Sequence, residues 1–222
     1  MVAPAAAAAL VAGLLLASSI DDGPARESQA SRLATSVDSF GAPQPLAPGE
    51  SVVDSAVQAN GDVVVQQWIH ADEPLERLGL SLPEDLAATG TSASDVEVLV
   101  NGSPVEGPDR LGTVGATYAF SGTTQVRLRY RLSGVVQRSD SASGRALAVT
   151  TTLQTEYEPR VESETRLLRA DGSVLGVACA ASLETSPTPC GSSVGQRWQI
   201  ELVGAHVDDR VLAQLDTGPV GR

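Results

Sequence analysis

Between Thr124 and Ser133 the chain alternates apolar and charged residues without a break: Val126, Leu128, Tyr130 and Leu132 interleave with Arg127, Arg129 and Arg131. A period of two sends the apolar set to one face of a pleated strand and the guanidinium groups to the other. The apolar face then needs a second layer to cover it, and a sheet packed on a sheet supplies one.

The same reading extends in both directions. Residues 56–70, AVQANGDVVVQQWIH, are two apolar runs joined by Asn60-Gly61, a pair suited to a two-residue hairpin turn. Residues 95–107 repeat that logic around Asn101-Gly102, with Val96, Val98 and Val100 on one face. TYAFSG at 117–122 adds a strand, whereas residues 71–94 scatter Leu75, Leu78, Leu80 and Leu82 among prolines, glycines and acids and predict a long connection. A polar break at 138–145 precedes a second group of apolar runs at 146–157, 161–169, 173–180, 196–203 and 210–216, with a turn at Ala170-Asp171-Gly172. Helix signals are nearly absent after Ser51. The expected class is all-β: an antiparallel β-sandwich of roughly ten strands, built as one large or two small immunoglobulin-like sandwiches. The two-domain division falls at 51–137 and 145–217; the alternative is one continuous sandwich over 51–217.

The amino-terminal pattern differs. Residues 3–20 are uncharged and mostly apolar, and Asp21 and Asp22 follow at once. The run is shorter than the ~20 residues of a typical spanning helix, and Ala17 and Ser19 offer a small-x-small cleavage pattern. Residues 1–20 are therefore expected to be an export signal peptide or an N-terminal membrane anchor helix. Residues 21–50 contain four prolines and little periodicity, and predict a flexible, disordered linker. The expected location is outside the cytoplasm, secreted or anchored at the outer face of the cytoplasmic membrane.

Composition narrows the chemistry. A net charge of -12 and a pI near 4.5 repel phosphate backbones and anionic headgroups. No nucleic-acid partner is expected, and membrane contact is expected only through the N-terminal segment. All 15 basic residues are arginine. Without lysine there is no Walker-type phosphate loop, Schiff-base enzyme or kinase-type ATP lysine. No cofactor is expected.

Four features carry candidate chemistry. Cys179 and Cys190 are the only cysteines, and in an exported chain they predict a disulfide. Residues 191–195 match G-x-S-x-G, but Ser193 follows a proline-rich loop and precedes a strand-like run, the wrong context for a nucleophile elbow. His70 with Asp72 and Glu73, and His206 with Asp208 and Asp209, are two similar turns that could offer nitrogen and oxygen ligands to a divalent ion if they met. Arg127, Arg129 and Arg131 suit an anionic partner; cross-strand pairing with the alternating Glu156, Glu158, Glu162 and Glu164 is the preferred account of that face. No catalytic set emerges. The expected function is a non-enzymatic binding or structural role, with another envelope protein as partner; the alternative is an extracytoplasmic hydrolase, with or without a metal ion, using the histidine and acid turns.

Overall fold

A computed structural model describes residues 40–218; the apolar segment 1–20 and the linker as far as residue 39 lie outside the described residues. In chain order the strands are β1 (Glu50–Val57), β2 (Val63–Ser81), β3 (Ser92–Val100), β4 (Ser103–Val105), β5 (Ala116–Ser133), β6 (Val136–Arg138), β7 (Arg145–Val149), β8 (Gln154–Glu156), β9 (Ser163–Ala170), β10 (Ser173–Ala180), β11 (Thr188–Pro189), β12 (Ser192–Val194), β13 (Arg197–Val203) and β14 (Arg210–Asp216). One short helix, α1 (Glu84–Ala88), and a 3-10 turn at Gly204–His206 are the helical elements among the described residues.

The strands form two sheets, and the fold is all-β. The larger has the order β12-β13-β9-β1-β2-β5-β3-β4, with β8 added along the far end of β2; the smaller runs β11-β10-β14-β7-β6. Neighbours pair antiparallel except β1 and β9, which are parallel, a departure from the purely antiparallel expectation. The two strand groups seen in the sequence interleave. β8, β9, β12 and β13 from the second group complete the larger sheet, and β6 from the first group edges the smaller one.

Alternation explains the core. Val126, Leu128, Tyr130 and Leu132 of β5 are all at most 1% exposed, and they share one apolar cluster with Ala148 of β7, Val177 of β10 and Ala213 of β14. The two sheets thus bury their inner faces against each other. Asn60-Gly61 joins β1 to β2 and Asn101-Gly102 joins β3 to β4, as predicted; Asn101 and Gly102 have φ of 51° and 76°, the left-handed pair a tight hairpin turn requires. The Ala170-Asp171-Gly172 turn instead carries the chain from the larger sheet to the smaller. β2 continues to Ser81 through the stretch predicted as a connection, burying Leu75, Leu78 and Leu80 while Asp72, Glu73 and Pro74 bulge outward.

Two further features define surfaces. On the outer face of the larger sheet Val52, Trp68 and Leu167 form a second apolar cluster, covered by Phe40, Ala42 and Leu46 from the stretch assigned to the linker. Trp68 Nε1 donates to Phe40 O at 3.1 Å, which pins that segment down. Between the sheets Glu164 and Arg166 form a buried ion pair at 2.7 Å. Its remaining valences are filled: Ser51 and Gln67 donate to Glu164, and Arg166 donates to Val207 O and Asp209 O. Cys179 and Cys190 lie at disulfide distance, closing the loop from β10 past the edge strand β11.

Candidate binding cleft

The two histidine turns lie at the same end of the larger sheet. The register runs from His70 to Glu50, from Glu50 to Ser163 and from Ser163 to Val203, just before the 3-10 turn that holds His206. Three strand spacings separate them, roughly 14 Å at ~4.8 Å each. Each histidine is committed locally: His70 Nδ1 lies 2.9 Å from Leu46 O, and His206 Nδ1 lies 3.0 Å from Asp209 Oδ2. Asp208 accepts both arms of Arg160 at 2.8 Å, and Asp72 and Glu73 stand exposed on the β2 bulge. Among the described residues no group of three or more histidine, cysteine, aspartate or glutamate side chains is placed to hold a metal ion. Ser193 sits in β12 opposite Trp198 of β13, a strand-to-strand hairpin without the helix a nucleophile elbow requires.

The arginine stripe faces outward as predicted, but its partners come from β2, β3 and the first hairpin rather than from the four glutamates. Arg131 pairs with Asp62 at 3.2 Å and Asp95 at 3.0 Å. Arg127 lies over the Trp68 ring, 5.3 Å from its centroid, and donates to Gln66. Arg129 is exposed, flanked in register by Gln66 and Glu97. Glu164, one of the predicted partners, is the buried mate of Arg166 instead.

A cleft of about 820 Å³ opens where β2 outruns its neighbour. β1 pairs with β2 only as far as His70, and β8 takes up the same edge again at Gly79. Between those points, no described strand pairs with this edge of β2. The chain leaving β8 bows away before Glu162 N returns to Gly49 O, and the space between is the cleft. Its floor carries Leu75, and its far wall carries Thr155 and Tyr157. Burial pushes the Tyr157 phenol up to about 12, so it stays a neutral hydroxyl at physiological pH.

The charge of the cleft is lopsided. Glu76, Glu156 and Glu158 line it with no ion pair among the described residues. Arg160 is cancelled by Asp208, whose carboxyl is held below the usual range chiefly by the Arg160 hydrogen bonds. Arg77 is the remaining cation, which leaves the glutamates in excess. The arrangement offers unpaired strand backbone, an apolar floor and acidic walls, the components of a slot for an extended segment. Sequence reasoning passed over it because Asp72-Glu73-Pro74 looks like a loop; the buried alternation of Leu78 and Leu80 beyond it was the available signal.

No family model matches the chain, and no curated protein matches it in sequence. Solved structures similar to it include an aminopeptidase N family protein from Idiomarina loihiensis (12% identity, TM-score 0.44, covering 75% of this chain and 29% of that one). A yeast LTA4 hydrolase in complex with bestatin (10%, 0.42) is covered over 28% of its length by 74% of this chain. An M1 zinc metallopeptidase from Deinococcus radiodurans (13%, 0.32) is covered over 41% by 74%. The chain thus spans well under half the length of each, and likeness at this level carries no inference about activity.

Proposed function

We propose that the protein is an exported, non-enzymatic binding module whose β2 edge captures an extended segment of another envelope protein. The observation that carries this reading is the interruption of pairing along β2 between His70 and Gly79 inside a cleft of about 820 Å³. A strand edge left open offers main-chain donors and acceptors to a guest strand, and the flanking side chains select it. The Asp72-Glu73-Pro74 bulge and the glutamate walls discourage indiscriminate edge-to-edge pairing. They also favour a guest with arginine or lysine at alternate positions. In this reading residues 51–217 are one continuous, immunoglobulin-like β-sandwich, held to or released from the membrane by residues 1–20. The shared core and the interleaved strand groups support the single sandwich, and the disulfide supports an oxidising compartment.

Titration with seven-residue peptides tests the reading. Peptides with lysine at alternate positions should bind, acidic counterparts should not, and affinity should fall with added salt. The double substitution Glu76→Lys with Glu156→Lys should weaken binding at least tenfold without lowering the Tm, since both side chains are exposed and neither makes an ion pair among the described residues. Equal affinity for basic and acidic peptides, or none for either, would contradict it.

A further inference from the structure

At the other end of the larger sheet, the strands bring two like charges together. Trp198 of β13 pairs with Leu168 of β9, so the same register sets Arg197 directly across from Arg169. Side chains in directly opposed positions stand about 5 Å apart at Cβ, and like charges there destabilise a sheet. The acids of these two strands stand elsewhere: Glu164 is buried against Arg166, and Glu201 lies across from Thr165 and accepts from Gln199. One of the two arginines has a carboxylate beside it and the other, among the described residues, has none. Arg169 Nε forms a long ion pair with Asp54 Oδ1 at 3.6 Å on the side of β1, whereas Asp171 accepts the Ala59 N–H at 2.8 Å. Arg197 is exposed and, among the described residues, has no carboxylate within ion-pair distance.

Both arginines line a cleft of about 660 Å³ between the β9–β10 corner and the β12–β13 hairpin. Its walls are fixed. Asp171 N donates to Val57 O, Gly172 is packed so tightly on Asp216 O that a Cβ would come within 2.1 Å of it, and Trp198 Nε1 donates to Val174 O at 3.2 Å. Ser173, Ser193 and Gln196 add hydroxyl and amide groups around the rim, and the half-buried Trp198 gives a flat apolar wall. Two guanidinium forks can each present paired N–H donors to one oxyanion, which also removes their mutual repulsion. We propose that this cleft is a binding site for an anionic ligand, a carboxylate or phosphate group on a hydroxylated body, with the oxyanion between Arg169 and Arg197. The site is separate from the β2 slot and does not depend on it.

Calorimetric titration and thermal shift at low salt test it, using inorganic phosphate, glucose 6-phosphate, glucuronate and glucose as probes. At least one anionic probe should bind and raise the Tm, while glucose does neither. Binding of glucose 6-phosphate without glucuronate assigns a phosphate; the converse assigns a carboxylate. Arg197→Gln should weaken binding at least tenfold while leaving the unliganded Tm unchanged or higher, because one of two opposed charges is gone. Arg197→Lys, which keeps the charge and loses the fork, should fall between. The proposal is overturned if no anionic probe binds, if glucose binds as well as its phosphate, if Arg197→Gln binds like wild type, or if that variant melts lower without ligand.

Discussion

Leu128 and Arg129 are neighbours in sequence and opposites in environment. Leu128 is fully buried between the sheets, so Leu128→Ala removes transfer energy and leaves a cavity; chemical denaturation should show a loss of ~2–5 kcal/mol. Arg129 is exposed and makes no ion pair among the described residues, so Arg129→Ala should cost at most ~1 kcal/mol in the same measurement. A thermally silent Leu128→Ala would contradict the packing described. This division was legible in the sequence because a period of two is a local property. The partners of the stripe were not. Which strand lies beside β5 is decided by long-range pairing, and the first hairpin turn, β2 and β3 brought Asp62, Gln66 and Asp95 to the arginines, while Glu164 went to the interior with Arg166. A buried ion pair of that kind leaves no trace in an alternating pattern, since charged residues at alternate positions look like a solvated face.

At the scale of the element, hairpins with an Asn-Gly turn were readable because the turn residues state the backbone conformation. Elements that carry charge through a bulge were not, and β2 beyond His70 is the example: three consecutive polar residues mask a strand that resumes burying leucines. The loop between Cys179 and Cys190 shows how a short connection is held. It links β10 to β11 at the edge of the smaller sheet, where Cys179 pairs with Thr188. Replacing both cysteines with serine should cost ~3 kcal/mol by the chain-entropy estimate for a loop of this size. Equilibrium unfolding of oxidised wild type against the double variant measures it, and equal midpoints would contradict the assignment of the bridge as a stabilising closure. The covering segment from Phe40 to Leu46 is a third case. Read alone it is proline-rich linker; in place, it shields Val52, Trp68 and Leu167, because the outer face of a wide sheet also needs cover where it is apolar.

At the scale of the whole molecule, paired carboxylates tie separate elements together and set the acid limit of stability. Asp62 is held below the usual carboxylate range chiefly by the Ser133 hydroxyl, with Asn60 and Arg131 adding to it. At Asp85 burial opposes ionisation, but the two hydrogen bonds from Arg210, at 2.9 and 3.1 Å, outweigh it and join α1 to β14. Asp208 is depressed by Arg160. A depressed folded-state pKa means that the unfolded chain takes up protons first as pH falls. The stabilisation is therefore complete above the unfolded value, near 3.8, and is lost as pH drops through the lower folded values. The Tm should be insensitive to these three groups from pH 5 to 7 and should fall steeply below pH 4; a loss of stability centred well above pH 5 would contradict this origin. The proposed slot on β2 lies where β1, β8 and the chain after Glu156 leave one edge unpaired. Hydrogen exchange reports on that edge directly. Amides of β2 between Ala71 and Leu78 that face the cleft should exchange faster than those from Val63 to His70. A saturating basic peptide should slow them at least tenfold, and the same peptide with methylated backbone nitrogens should leave them unchanged. Equal protection along all of β2 without peptide, or no change on peptide binding, would contradict an open strand edge as the binding surface.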